Sequence, residues 1–555
     1  MKTRGFFKSF LIGLALLVLV NLAGSLAYKR WDLTEDKRFT LAPESEEVVA
    51  ALEGPVVIDI LLDGDLPAEF ERLRRETGLL LEQFATGNPE IRYAYMDPLE
   101  GGEAGPEVLD QLQQFGLKPA SVTTEEGGRV SQEVVFPWAV VNYGGRSEKV
   151  ALLRNQLGAS TEDRVNRSIQ NLEYAFADAF AKLGTTTRKQ IAVLKGNGEV
   201  PDNRLADLLS TLGTYYNIAP FTLDSVATNP QGTLAALRDF QAALIVKPTE
   251  PFTEPEKLVL DQYMVGGGKT LWLVDPVAME LDSLLNEDGQ GVALARNLNL
   301  DDLLFRYGVR INANLVADMY CTQIVLATGS GTGSEYNPLP WVYHPMVFSR
   351  DNHPINRNLE ALRMQFASTI DTLENPYRKT ILYASSPRSR AEGTPKIVSL
   401  ELVREEPDPE RFVPGNLPLA VLVEGAFRSA YANRIRPVDL PDYREQGLEN
   451  RMIVVSDGDL ASNQLQNGRP LELGYDKWTN NFYGNKEFLV NAVNYLLEDN
   501  GLINIRNKEV AIPLLDPRKA AAEKTQWQLL NIGLPIALLL LFGGLFRYIR
   551  RRRYA

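Results

Sequence analysis

The sequence predicts an α/β protein, built as two successive sheet layers held between two transmembrane helices. Three observations predict it. Short β-branched apolar runs alternate with amphipathic stretches of helical period along most of the chain. Two uncharged runs long enough to cross a bilayer, residues 9–28 and 525–546, lie towards the two ends. Charge is also segregated. Residues 1–28 carry Lys2, Arg4 and Lys8 and residues 525–555 carry Arg547, Arg550, Arg551, Arg552 and Arg553, with no acid in either stretch. Taking those eight positive charges out of a net −13 leaves −21 on residues 29–524. A chain of 555 residues, 45% hydrophobic and 23% charged, has ample material for a core and is not a disordered composition.

The first run is rich in Leu, Val, Ala and Gly, between Lys8 and Lys29-Arg30. Ser25-Leu26-Ala27 resembles a signal-cleavage site, yet the run exceeds the usual ~7–15-residue core of a signal peptide, so an anchor is expected. Pro43 opens a short helix. Residues 56–62 read as a strand, Pro67 starts a helix with Phe70, Leu73, Leu80, Leu81 and Phe84 apolar, and residues 91–96 alternate as a second strand. Strands at 132–138, 139–143 and 149–153 complete a small thioredoxin-like layer without redox cysteines. Residues 160–183 form a helix with Ile169, Leu172, Phe176 and Phe180 on one stripe. A second unit has strands at 190–194, 218–223, 242–246, 269–274 and 452–456 and helices at 203–213, 254–265 and 485–497. That alternation predicts a parallel sheet covered on both faces. Gly- and Pro-rich stretches at 329–340 and 387–395 mark loops of an inserted region, about 296–440. The second uncharged run has Trp527 and Tyr548 near its edges, where amphipathic rings prefer to sit, and basic residues lie outside both spans. The positive-inside rule therefore places both termini in the cytoplasm and exports the body.

A single cysteine, Cys321, excludes an internal disulfide, a thiolate cluster and a redox pair; two histidines, His344 and His353, leave few means of building a zinc site. No cofactor or metal is expected, and the acidic balance argues against nucleic acid. Gly266-Gly267-Gly268-Lys269-Thr270 looks like the end of a phosphate loop, but Tyr263 stands where the pattern needs Gly and the segment runs from helix into strand. It reads as a helix C-cap turn. The Gly-rich 329–334 stretch reads as a surface loop, because Pro338 and Pro340 prevent a helix from starting. Cys321 reads as a buried apolar thiol. His344 and His353, with Trp341, Tyr343 and Arg350, read as packing of a Pro-rich loop, with a partner or sugar contact as the alternative. Glu199 with Asp202, Asp275, and Asp457 with Asp459 all follow strands of the proposed sheet. They gather at its C-terminal edge, where open α/β folds bind ligands. Paired acids there can hold a cation or act as acid and base, and Asp after a strand is equally a helix N-cap.

At this point the residues resemble the gliding-motility-associated GldG family, auxiliary subunits of a Bacteroidota ABC transporter. The matching stretches are Asp32-Leu33-Thr34-Glu35-Asp36-Lys37-Arg38-Phe39-Thr40-Leu41, Lys247-Pro248-Thr249-Glu250-Pro251-Phe252 with Asp261-Gln262-Tyr263, and Gly267-Gly268-Lys269-Thr270-Leu271-Trp272-Leu273-Val274-Asp275. Phe366-Ala367-Ser368-Thr369-Ile370-Asp371, Val455-Ser456-Asp457-Gly458-Asp459 and Tyr483-Gly484-Asn485-Lys486-Glu487-Phe488-Leu489 follow in the same order. The resemblance implies a central amidotransferase-like (flavodoxin-like) sandwich, similar to one in an intraflagellar-transport protein. The nucleophilic Cys and His of true amidotransferases are not evident, so fold kinship is no evidence of activity. It also implies a non-catalytic inner-membrane subunit, required for gliding motility and linked to type IX secretion, with a separate permease and ATPase as partners. Where the family usually reads Gly-His-Gly-Glu this chain has Gly196-Asn197-Gly198-Glu199, which suggests a shape or binding element rather than proton transfer.

The expected order is a cytoplasmic tail (1–8), a span (9–28), an N-terminal periplasmic α/β domain (29–155), a connecting helix (156–187) and the ABC-transporter auxiliary α/β domain (188–515). A linker (516–524), a second span (525–546) and a basic cytoplasmic tail (547–555) complete it. Asn197, Glu199, Asp275, Asp457 and Asp459 are the candidate ligand- or partner-binding residues. The absence of an ATP-binding motif and the small number of spans fit an accessory subunit. The alternatives are a membrane-tethered periplasmic binding protein for a glycan, lipid or peptide, and an amidotransferase-like hydrolase, which the shortage of His and Cys disfavours.

Overall fold

The computed structural model describes residues 13–19, 21, 32, 34, 37, 40–98, 105–126, 129–154, 159–185, 187–328, 335–350, 352–404, 406–497, 501–507 and 517–554. The chain divides into two compact units, Met1–Glu509 and Val510–Ala555.

The first unit begins with helix α1 (Pro43–Ala50), which has Pro in its first turn and Glu44 and Glu46 at the positive end of its dipole. Strand β1 (Val56–Ile60), helix α2 (Ala68–Gly87) and strand β2 (Ile91–Tyr95) make the expected β-α-β unit, with the strands parallel. Helix α3 (Gly105–Gln114) and a hairpin of β3 (Ala120–Glu126) and β4 (Arg129–Val135) follow, then β5 (Trp138–Tyr143) and β6 (Arg146–Ala151). The sheet has the order β2-β1-β5-β6, with β5 antiparallel to both neighbours. The strand expected at 132–138 is corrected: β4 pairs with β3 outside this sheet. Pro137, which has no N–H to donate, separates it from β5. Helix α4 (Thr161–Gly184), capped by the Ser160 side chain, covers the layer; its Phe180 ring meets Phe84 of α2 edge-on, with centroids 5.1 Å apart.

The larger sheet uses β7 (Gln190–Lys195), β8 (Asn217–Thr222), β9 (Ala242–Val246), β10 (Lys269–Leu273), β11 (Arg378–Ala384), β12 (Pro418–Arg428) and β13 (Gln446–Val455). Its order is β11-β12-β13-β10-β9-β7-β8. The five strands from β13 to β8 are parallel, whereas β12 runs antiparallel to β13 and β11 antiparallel to β12. The expectation of a purely parallel sheet is therefore corrected, and the middle region contributes two of its strands. The cause is local: Leu419–Val423 is a continuous apolar run, buried on both faces, that only a position inside a covered sheet can satisfy.

Helices α5 (Asp202–Leu212), α6 (Pro230–Arg238), α7 (Glu254–Val265) and α8 (Asn485–Leu497) cover the two faces. Ile191 and Val193 point towards Leu205 and Leu208 of α5 and Phe488 of α8. Ala192 and Leu194 point the other way, towards Leu234 of α6 and Leu258 of α7. This strand alternation makes a three-layer sandwich. The rest of the middle region is a smaller β assembly whose core includes Leu315, Trp341, Tyr343 and Phe366. Trp341, Tyr343 and His344 are all buried, so they pack a core. Cys321 is half-buried, and burial pushes its thiol up to about 11. The 329–334 loop lies outside the described residues.

The body's two chain ends meet on α4. The Ala42 N–H donates to Glu173 at 2.5 Å and Ser45 Oγ to the same oxygen at 2.9 Å. Leu502 and Ile505 pack on Tyr174 and Ala177, and the Arg506 guanidinium lies 5.1 Å from the Tyr174 ring centre. A Cβ placed on Gly501 would sit 3.8 Å from Cγ of Glu44.

In the second unit, helix α9 (Lys524–Tyr554) is apolar enough over Lys524–Arg552 to cross a membrane, with mean hydropathy 2.2 in its most apolar window. Pro535 lies inside it, as membrane helices tolerate. Of the first uncharged run, residues 13–19 and 21 are helical and exposed, and the others lie outside the described residues.

Candidate functional site

The parallel strands end side by side, so the loops after β7, β9, β10 and β13 form one edge. Asp275 follows β10, Asp457 and Asp459 follow β13, and Lys247 follows β9. Lys247 adopts φ +51°, rare for a side-chain-bearing residue, and its N–H bonds the Leu273 carbonyl at 2.8 Å. This turn directs its buried ammonium into the carboxylates. Nζ lies 2.6 Å from Asp459, 2.7 Å from Glu280 and 3.5 Å from Asp275.

Backbone N–H groups take up further acceptors of Asp275 and Asp457. Asp275 Oδ1 accepts the Gly458 N–H at 2.5 Å. Asp457 accepts Gln365 N–H at 2.7 Å on one oxygen and Asp459 N–H at 2.8 Å on the other. Gly458 is required by close approach: a Cβ there would lie 2.5 Å from Cβ of Lys247. The middle region closes over this edge, since Ser368 N–H bonds the Ser456 carbonyl at 3.0 Å.

The charges perturb one another. Burial pulls the Lys247 ammonium down, but Asp459, Asp275 and Glu280 outweigh it and the pKa lies above the ordinary lysine value. Asp275 is pushed up to about 7 by burial and by Asp459, against the pull of Lys247. Burial, then the neighbouring carboxylates Asp275 and Asp459, raise Asp457 well above the usual range; burial and Asp459 raise Glu280. Carboxylate oxygens of Asp275, Glu280 and Asp459 lie within 4.8 Å of one another, a spacing that suits a cation. The Lys247 ammonium already supplies that positive charge. The arrangement thus works as an ion-paired clamp joining the ends of β9, β10 and β13.

Asn197 and Glu199 form a second group in the loop after β7. The Asn197 carbonyl accepts N–H bonds from Thr249 at 2.9 Å and Glu250 at 3.0 Å, while its own N–H donates to Glu199 at 2.8 Å. Its Nδ2 reaches Glu256 at 3.4 Å, the carboxylate that completes the capping box of α7 with Thr253. Asn197 therefore shapes this edge and steadies the start of α7. Gly198, at φ +72°, cannot be replaced without collision, since a Cβ would lie 2.1 Å from Thr249 Oγ1. Burial raises Glu199, whose Oε1 is buried without a hydrogen-bond partner. Asp202 opens α5 and pairs with Lys195 at 2.6 Å.

The sequence reading missed Lys247, Glu280 and Gln365. Lys247 was the most detectable, being a lysine directly after the wholly buried Ala242–Val246 strand and before Pro248. Glu280 and the Gln365 amide reach the site only through loop paths. His353 stacks edge-on against Tyr495, 4.6 Å between ring centres, and His344 against Phe366 at 5.4 Å.

The first unit is thus a three-layer body whose sheet edge is held by an ion cluster, in a chain with one helix, among the described residues, long and apolar enough to cross a membrane. Residues 188–492 match the family described as ABC-type uncharacterized transport system, and the chain belongs to it. The expected auxiliary role in an ABC transporter holds at that level. Residues 35–142 match a domain of unknown function, DUF7088. No curated protein matches the chain. Among solved structures it is similar to the mmIFT52 N-terminal domain, at 14% identity over 56% of this chain and 99% of that one, with a TM-score of 0.33. A ThuA-like protein from Parabacteroides merdae is similar at 11% identity over 59% and 93%, with a TM-score of 0.27. At these scores neither likeness bears on function.

Proposed function

We propose that the chain is a non-catalytic, two-pass inner-membrane subunit of the GldG type, with both termini cytoplasmic and its body in the periplasm. It works with an ABC permease and a cytoplasmic ATPase in gliding motility and the linked type IX machinery. The observation that carries this reading is the meeting of the body's two chain ends on α4. Residues 40–50, which follow the first uncharged run, and residues 501–507, which precede the second, share one helix. Chain ends held together on one helix fit a body tethered by two spans that pack on a permease. The β-α-β-α-β-β-α order of the first layer, leaving aside the separate β3–β4 hairpin, and the covered sheet of the second fit a thioredoxin-like layer on an amidotransferase-like sandwich.

Asn197, Asp275 and Asp457 are buried at this edge, so a ligand or envelope partner meets it through its exposed rim at Glu280, while Lys247 keeps the loops in register. The closed ion pairing there supports a subunit without turnover of its own. Affinity purification of the intact protein in mild detergent should recover a permease and an ATPase, and deletion of the gene should abolish gliding. Repeated recovery of the protein alone would count against this reading.

A further inference from the structure

We propose that the arginines just beyond the apolar run of α9 form a collar that binds anionic phospholipid headgroups. This rests on the reading of α9 as a membrane span. The 22 uncharged residues at 525–546 make about 33 Å of helix at about 1.5 Å per residue, close to the ~30 Å hydrocarbon core. The helix continues without a break to Tyr554, so Arg547, Arg550, Arg551 and Arg552 are held at fixed angles at the end of that run.

Helical geometry sets those angles. At about 100° per residue, with Arg547 at zero, Arg550, Arg551 and Arg552 stand near 300°, 40° and 140°, and helix position 553, also an arginine, near 240°. The arginine positions therefore encircle the helix. A protein groove or a nucleic acid engages a stripe on one face, whereas a ring fits the headgroup layer that surrounds a spanning helix. No carboxylate side chain lies in residues 525–555 to neutralise it. The Arg552 guanidinium lies 5.5 Å from the Tyr548 ring centre, which ties one charge to an aromatic of the kind that settles at headgroup depth. Guanidinium binds phosphate oxygens through paired donors, and a lipid with net negative charge lacks the ammonium that would repel the collar.

The intact protein is purified in mild detergent doped with equal amounts of phosphatidylglycerol and phosphatidylcholine, and retained lipids are counted by native mass spectrometry. Phosphatidylglycerol should be enriched several-fold, less so as salt rises, and the enrichment should fall towards parity in the Arg550→Gln, Arg551→Gln, Arg552→Gln, Arg553→Gln variant. Equal retention of both lipids by the wild type, or enrichment that survives the four substitutions, overturns the proposal. Carbonate extraction of membranes separates the two levels. Release of the wild-type protein sinks the reading of α9 as a span, and retention without lipid preference sinks the collar alone.

Discussion

Lys247 concentrates the electrostatics of the sheet edge in one side chain. It is 7% exposed and held at φ +51°, an arrangement that persists because three carboxylates surround its ammonium. Replacing it by Met keeps the stem but leaves buried Asp275, partly buried Asp459 and half-exposed Glu280 without their shared cation. Lys247→Met should destabilise the protein by about 3–5 kcal/mol, measured by urea unfolding in detergent. Asp275 carries the pH dependence. Its folded pKa, about 7, lies above the ordinary carboxyl value of 3.8, so the folded state holds a proton that the unfolded chain has released. That contribution is complete below about pH 4 and is lost as pH rises to about 7. The stability of Asp275→Asn relative to wild type should therefore rise between pH 5 and pH 8, by up to about 2–3 kcal/mol. A flat difference across that interval would show that Asp275 is ionised in the folded protein at pH 5.

Among the elements, α4 links the first layer to the body's chain ends. Its Phe176 and Phe180 are fully buried, and Phe180 packs on α2. Phe180→Ala should cost about 3–5 kcal/mol, because both transfer and cavity terms apply. The start of α7 makes a useful contrast. There Thr253→Ala removes only the side-chain cap and should cost about 1 kcal/mol. Calorimetry of the two variants should preserve that order. Element boundaries were largely legible where a strand or helix carried its own period, as at β9, α7 and α8. Helix α6 was missed because its apolar stripe is short; a side-chain bond from Gly232 N–H to Asn229 caps it, and Pro230 stands in its first turn.

For the whole molecule, the meeting of residues 40–50 and 501–507 makes a direct geometric claim. In a Cys321→Ser background, Glu44→Cys with Gly501→Cys should form a disulfide under mild oxidation, since the Cβ position at 501 lies 3.8 Å from the Glu44 side chain. Cysteine at the φ +67° of Gly501 adds strain of about 1–2 kcal/mol, which lowers the yield without preventing closure. Persistence of both thiols after oxidation of the folded protein would refute the shared anchorage.

The sequence by itself determined what depends on local order along the chain. Apolar period gave most of the strands and helices, charge segregation gave the two uncharged runs with their basic flanks, and strand-end positions placed Asp275, Asp457 and Asp459 at one edge. Only the tertiary structure decided which charges meet there. Lys247, Glu280 and Gln365 join the edge through a left-handed turn and loop paths whose course is fixed by packing across distant segments, and no local period records that. The same physics moved β11 and β12 into the central sheet. A fully buried apolar strand looks alike in an insertion and in a core until its neighbours are known, and here β12 sits between β13 and β11.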